Sequence, residues 1–235
     1  MVNDLSRILF LDIETVPLNY QYHSLDPETR DLWDEKMHYQ QEQSGLSFEE
    51  LYSKAGVLAE FAKVICICSG FIHQENGINH FRMKTFSGDD EKQLLQDFSE
   101  MLDKKFSGYL LCAHNGKEFD FPFMARRMLI NGVALPRHLN LAGKKPWEVS
   151  HLDTLELWKF GDRKHFTSLK LLAHLFNLPT PKDDISGKDV ARVYYEEKDL
   201  ERITRYCQKD VITLANLMLR WSQQGIIEES NISFV

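Results

Sequence analysis

Cysteine is scarce in this chain, with four in 235 residues, too few for a disulfide framework at this length. Cys66 and Cys68 sit two apart on one apolar run, Cys112 and Cys207 in others, and no CxxC pair exists. A structural zinc site is therefore not expected, and the thiols read as small buried hydrophobes. No apolar run approaches the ~20 residues that a membrane helix needs. Met1-Val2-Asn3-Asp4-Leu5-Ser6 lacks the basic-then-apolar layout of a signal peptide. No membrane and a cytoplasmic location are the expectation. Positive charge is also short: 28 Lys and Arg against 35 Asp and Glu leave a net charge of −7. A protein that coats long nucleic acid non-specifically would be basic. An enzyme that grips one chain end through metal ions need not be, because bound cations add charge that the sum omits. No internal repeat, low-complexity segment or clear boundary divides the chain, so residues 1–235 read as a single domain. At 43% hydrophobic and 27% charged residues it has the composition of a globular protein with a sizeable core.

Arg7-Ile8-Leu9-Phe10-Leu11-Asp12-Ile13-Glu14-Thr15 reads as a central strand, unbroken in its apolar part. Side chains two apart share a face, so Ile8, Phe10, Asp12 and Glu14 point one way. Two carboxylates thus follow two core residues out of the buried zone. So close together, they raise each other's pKa unless something neutralises them, and a divalent cation would do so. The plain alternative is that the strand has ended and both acids are solvated.

After Val16-Pro17 the chain is polar and acidic to about Glu60. Asp26-Pro27 carries an N-cap with proline at the first helical position, and Ser47 to Glu50 a capping box. Residues of about 19–60 are therefore expected to form a helical insertion on the sheet, with Trp33, Phe48, Leu51 and Phe61 to bury. Strands are expected over Lys63–Phe71, Asn79–Phe86 and Tyr109–Ala113, and a short one within His151–Leu155. Helices are expected over Asp89–Phe106, Phe121–Asn131, Ser168–Phe176, Gly187–Glu196 and Asp199–Trp221, and loops over Arg137–Ser150 and Thr180–Gly187. Early strands alternating with helices make the class α/β or α+β.

Two further stretches bear chemistry. In Cys112-Ala113-His114-Asn115-Gly116-Lys117-Glu118-Phe119-Asp120 a strand turns into a helix, and Asp120 is either its N-cap or a functional acid. On the last helix, Leu200, Ile203, Cys207, Val211, Leu214, Met218 and Trp221 form an apolar stripe with Asp210 on or beside it. Tyr206 lies one turn earlier on the same side. A buried carboxylate needs a cation or a donor, so Asp210 implies a ligand, a contact with Tyr206, or a salt bridge to Arg202 or Arg205.

Taken together, Asp12-x-Glu14, Asn115-x-x-x-Phe119-Asp120 and Tyr206-x-x-x-Asp210 resemble the three exonuclease motifs of the DEDD superfamily. The tyrosine four residues before the last aspartate resembles its DEDDy branch. The surrounding texture is similar to the proofreading exonuclease domain of family B DNA polymerases, and to stand-alone bacterial proteins predicted to be exonucleases of that type. Phe10-Leu11-Asp12-Ile13-Glu14-Thr15, His114-Asn115, Ser168-Leu169-Lys170-Leu171-Leu172 and Tyr206-Cys207-Gln208-Lys209-Asp210-Val211 carry it, over Arg7 to Arg220. The resemblance implies a ribonuclease-H-like fold, a central mixed β-sheet flanked by helices. It implies 3′→5′ hydrolysis of single-stranded nucleic acid by two divalent cations, Mg²⁺ or Mn²⁺. Such ions take hard oxygen ligands, which suits four carboxylates rather than Cys or His. By that resemblance Asp12 would bridge both ions, Glu14 and Asp210 would complete the site of the attacking water, and Asp120 would serve the second ion. Tyr206 would orient the water, since an ordinary pKa of about 10 makes it a poor base at neutral pH. Thr15 and Asn115 would touch the terminal nucleotide.

The insert lies outside the bare catalytic core of that family, and Glu118 adds negative charge beside the second motif. Arg126-Arg127, Lys144-Lys145, Arg163-Lys164, Arg202 and Arg205 are scattered basic residues that line a strand path or are solvated surface. Trp33, Trp147, Trp158 and Phe166 stack on bases or, as for most aromatics, pack in the core. Asp153 reads as a structural partner of a helix start. The substrate is expected to be the 3′ end of DNA. RNA is the alternative, since discrimination rests on contacts to the 2′ position. A non-catalytic nucleic-acid-binding module of the same fold and an ordinary α/β protein are the others. With no polymerase region in this sequence, a proofreading role would be served for a separate polymerase or repair protein.

Overall fold

Strand β1 runs from Ile8 to Pro17 and lies at the middle of a six-stranded mixed sheet. The computed structural model describes residues 4–162, 166–179 and 185–235. The sequence pairs Arg163-Lys164 and Thr180 to Asp184 of the expected loop lie outside them. On one side β1 pairs antiparallel with β2 (Ala62–Glu75), which pairs antiparallel with β3 (Ile78–Ser87). On the other it pairs parallel with β4 (Leu110–Ala113), and β4 with the two-residue β5 (Leu152–Asp153). A last strand, β6 (Ile232–Phe234), adds parallel to β3. The order is β5-β4-β1-β2-β3-β6.

Period-two alternation decides what each face of β1 buries. Leu9, Leu11 and Ile13 face the core made with α3 (Glu91–Lys105) and α4 (Asp120–Ile130). Ile8 and Phe10 face α8 (Leu200–Trp221), through Cys207, Val211 and Leu214 of its apolar stripe. Burying one such Leu or Phe contributes about 1.5–3 kcal/mol, so reversing the register of β1 would forfeit both cores together. Asp12 and Glu14 continue the α8 face. The register shifts between Glu14 and Thr15, a bulge that bends the strand where the two acids emerge.

The insertion forms as its caps demand. Helix α1 (Pro27–Ser44) starts on Asp26, which accepts from the Thr29 amide, and stops at Gly45 with φ +71°. Helix α2 (Phe48–Leu51) starts with the complete Ser47–Glu50 capping box and runs into a 3₁₀ turn, Tyr52–Val57. Trp33, Met37, Leu51, Tyr52 and Phe61 give this insert a core of its own. The Leu18 amide donates to the Phe61 carbonyl at 2.8 Å, closing the insert's two ends.

Several boundaries differ from the sequence reading. β2 extends four residues past Phe71, because its partner β3 continues to Ile78. The short strand near His151 ends at Asp153, where α5 (Thr154–Lys159) begins. The loop expected over Arg137–Ser150 holds one 3₁₀ turn, Pro146–Glu148. Helix α6 (Leu169–Leu175) starts on the Ser168 cap. The helix expected from Gly187 starts at Val190 as α7 (Val190–Arg192) and widens into a π turn, Val193–Glu197. Arg127 is no strand-path cation. It is buried, and its guanidinium meets Glu91 at 2.9 and 2.6 Å.

Candidate active site

Three elements bring four carboxyls to one place. Asp12 and Glu14 arrive on β1, Asp120 at the first turn of α4, and Asp210 midway along α8. Glu14 and Asp120 are buried, Asp12 and Asp210 half-buried. Burial pushes Asp12 well above the usual carboxylate range, and the charges of Glu14, Asp120 and Asp210 push it further. Glu14 is raised by burial and then by Asp210. Asp12 and Glu14 place carboxylate oxygens within 4.8 Å of each other. Asp120 is lifted from 3.8 to about 7, first by burial, with Asp153 adding to it against main-chain hydrogen bonds.

Asp120 is not the N-cap of α4. Phe119 holds the cap position and no side chain caps the helix. Among the described residues, Asp120 Oδ1 is buried without a hydrogen-bond partner. A buried carboxylate oxygen without a partner, on a residue whose charge is felt at Asp12 and Glu14, suits a hard divalent cation. Tyr206 is raised above the usual phenol range, by burial first and then by Asp210, to which its hydroxyl is hydrogen-bonded. Arg202 and Arg205 pair with Glu197 and Glu201.

The turn before Asp120 is held from below. Asp153 accepts from the Asn115 and Lys117 amides, both at 3.0 Å, while capping α5 through the Leu155 amide at 2.9 Å. Asn115 adopts φ +64°, a conformation that asparagine tolerates better than most residues. The next residue must be small: a Cβ on Gly116 would lie 2.4 Å from that of Ala113. His114 bonds through Nδ1 to Thr154 Oγ1 and through Nε2 to the Thr167 carbonyl, both at 2.9 Å, and burial lowers its pKa.

Residues 57–231 match a family described as a predicted 3′-5′ exonuclease related to the exonuclease domain of PolB. The chain belongs to this family. The match begins after most of the insert, so β1 with Asp12 and Glu14 lies ahead of it. The DNA polymerases of Pyrococcus glycovorans and Desulfurococcus sp. (strain Tok) are 24% and 25% identical to this chain over 133 residues, 51% of its length. The chain spans only a small part of those relatives, 17% of their length being matched. The structure of the family B DNA polymerase from Pyrobaculum calidifontis superposes on 92% of this chain and 24% of its own, with a TM-score of 0.53 at 15% identity. The fold is ribonuclease-H-like: a mixed sheet flanked by helices.

Several placements in this chain have no local sequence signal. Cys207 lies within reach of Asp12 and Glu14, the three ligand atoms within 4.8 Å of one another, and its thiol donates to the Asp12 carbonyl at 3.4 Å. Burial pushes that thiol well above its usual range, so it serves as a neutral donor behind the acids. Cys66, Cys68 and Cys207 also cluster within 4.8 Å. The Thr15 hydroxyl donates to the Gly56 carbonyl of the insert at 2.6 Å. Trp33 is buried, and Trp158 stacks at 6.0 Å on Trp221. Trp147 and Phe166 are exposed, contrary to core packing. Among the described residues no helix is long and apolar enough to cross a membrane.

A carboxyl that holds its proton more tightly folded than unfolded costs stability as the pH rises. The Asp120 carboxyl is raised from 3.8 to about 7 by folding, so in metal-free protein its own contribution to stability is greatest below pH 4 and is lost toward pH 7. The loss is on the order of a few kcal/mol. In EDTA the melting temperature is therefore expected to fall between pH 5 and pH 8. Asp120→Asn should flatten that fall and melt several degrees higher than wild type at pH 8. A pH dependence identical in the two proteins would contradict the assignment.

Proposed function

We propose that this chain removes nucleotides from the 3′ end of single-stranded nucleic acid, DNA in preference to RNA, with two divalent cations, Mg²⁺ or Mn²⁺. The observation that carries this reading is the approach of Asp12 and Glu14 of β1, Asp120 of α4 and Asp210 of α8 to one another, with an Asp120 oxygen that has no hydrogen-bond partner among the described residues. An apolar core does not gather four acids without a counter-charge. These four residues would hold the cations, which when bound neutralise phosphate oxygens and acidify water.

The chain's own groups then have separate tasks. Tyr206 keeps its proton, because burial and Asp210 hold it above the usual phenol range. Its hydroxyl donates to Asp210 and its oxygen accepts from a water, which orients that water without acting as base. Asp153 holds the Asn115–Lys117 turn by two amide bonds and so sets where Asp120 stands. Asn115 meets the terminal nucleotide with its side chain, its amide being already engaged. Thr15 meets it as an acceptor, its proton being given to Gly56. A polymerase or repair protein is the partner that a proofreading role would serve.

The test uses 5′-labelled single-stranded DNA and RNA of one sequence with Mg²⁺, Mn²⁺ or EDTA. A ladder that shortens one nucleotide at a time from the 3′ end, absent in EDTA and faster on DNA, is expected. Binding of the strand without any shortening would make the chain a binding module instead.

A further inference from the structure

We infer that Cys66, Cys68 and Cys207 form a binding site for one soft, thiophilic cation, and that monovalent copper is the ion it fits. The three sulfurs lie within 4.8 Å of one another, with Sγ of Cys66 3.7 Å from Sγ of Cys68. Three of the chain's four cysteines therefore meet at one point, all of them free thiols. A cation with bonds of about 2.3 Å to sulfur, centred among three thiolates, needs those sulfurs about 4 Å apart. The cluster already has that scale.

Sheet register builds the site. Cys66 and Cys68 are two apart on β2, so their side chains leave the same face. In the β1–β2 ladder Cys68 lies opposite Asp12, and Cys66 opposite Glu14. The two thiols thus stand beside the two acids, on the face covered by α8, which brings Cys207 onto them. Cys207 belongs to two sets at once. Its sulfur is within 4.8 Å of carboxylate oxygens of Asp12 and Glu14 as well as of the other two sulfurs. The sets differ in kind: carboxylates hold hard cations, and thiolates hold soft ones.

Ligand number selects the ion. Structural zinc takes four ligands. Among the described residues no fourth His, Cys, Asp or Glu brings a ligand atom within 4.8 Å of all three sulfurs. Cu(I) is soft and is satisfied by three thiolates. Polar neighbours orient the sulfurs, as supporting groups do in metal sites. Gln208 Nε2 donates to Thr85 Oγ1 at 3.0 Å, which leaves the Thr85 proton for Cys68 Sγ at 3.4 Å. The Cys66 thiol faces Thr204 Oγ1 at 3.9 Å. On binding, the copper stays Cu(I) and no electron moves. Each sulfur that becomes a thiolate releases its proton to solvent.

The experiment titrates the reduced full chain with Cu(I) in the absence of oxygen, against the chelator bicinchoninate. Wild type should take up one Cu(I) per chain, and X-ray absorption at the copper edge should find three sulfur neighbours. Cys66→Ala and Cys68→Ala should each weaken binding at least about 30-fold, and Cys112→Ala, a buried cysteine outside the cluster, should stay within about 2-fold of wild type. No uptake in competition with the chelator, a copper with two sulfur neighbours, or equal weakening by Cys112→Ala and Cys68→Ala would each overturn the inference. The sulfur count needs wild type alone, so it decides even where a variant does not fold. Binding is read without nucleic acid, so the copper site and the exonuclease reading stand or fall separately.

Discussion

Asp12→Asn and Asp210→Asn are each expected to lower kcat by at least about 10³-fold, the scale of losing a charge-stabilising group in a water-excluded site. Asparagine keeps the shape of aspartate, so the loss would report charge and not packing. The positions make the effect large. Asp12 lies on the central strand between Leu11 and Ile13, both facing the opposite core, and its carboxyl is pushed upward by burial and by Glu14, Asp120 and Asp210. Removing one charge relieves the other three, so the metal-free variants should melt no lower than wild type above neutral pH. Activity and stability therefore move in opposite directions, as expected of a site that holds repulsion for a purpose. Steady-state rates on labelled single strands and melting curves in EDTA check both halves. A variant that retains activity within about tenfold of wild type would remove that residue from the site.

The second large effect is on stability. Arg127→Met is expected to destabilise the fold by roughly 3–5 kcal/mol, because it leaves Glu91 buried with its charge uncompensated. Arg127 meets Glu91 through Nε and Nη2 and gives Nη1 to the Ala59 carbonyl at 3.0 Å. Glu91 also accepts from the Val64 amide at 2.8 Å and from Asn131 Nδ2 at 2.9 Å. This network joins β2, α3, α4 and the end of the insert. Glu91→Gln combined with Arg127→Met should recover part of the loss, since the stranded charge is then gone, and urea titration of the four proteins closes the cycle. If Arg127→Met cost under about 1 kcal/mol, the pair would be no more than a surface ion pair in its energetics.

Short-range regularities made much of the fold legible. Alternation along Ile8 to Glu14 placed two acids on the face of Phe10. The spacing from Cys207 to Leu214 set Asp210 beside an inward stripe, and Asp26 and Ser47 marked the helices of the insert. Each depends on the period of a strand or helix, or on a cap bonding within its own first turn. The motif order then pointed to a PolB-like exonuclease, and a matching family model over residues 57–231 agrees with it.

Long-range contacts decided the remainder. Asp120 could have capped its helix, but Phe119 takes the cap position, and among the described residues a buried Asp120 oxygen has no hydrogen-bond partner. Arg127 is indistinguishable from Arg126 until Glu91 arrives from 36 residues away. Thr15 and Asn115 carry structural bonds, to Gly56 and Asp153, that no local pattern announces. By itself the sequence determined which residues share a face and where helices begin, because those follow from backbone period and local hydrogen bonds. Which faces meet, which charges are compensated and how the insert stands over Glu14 were settled only by tertiary packing. There, desolvation and proximity between distant segments set the energies.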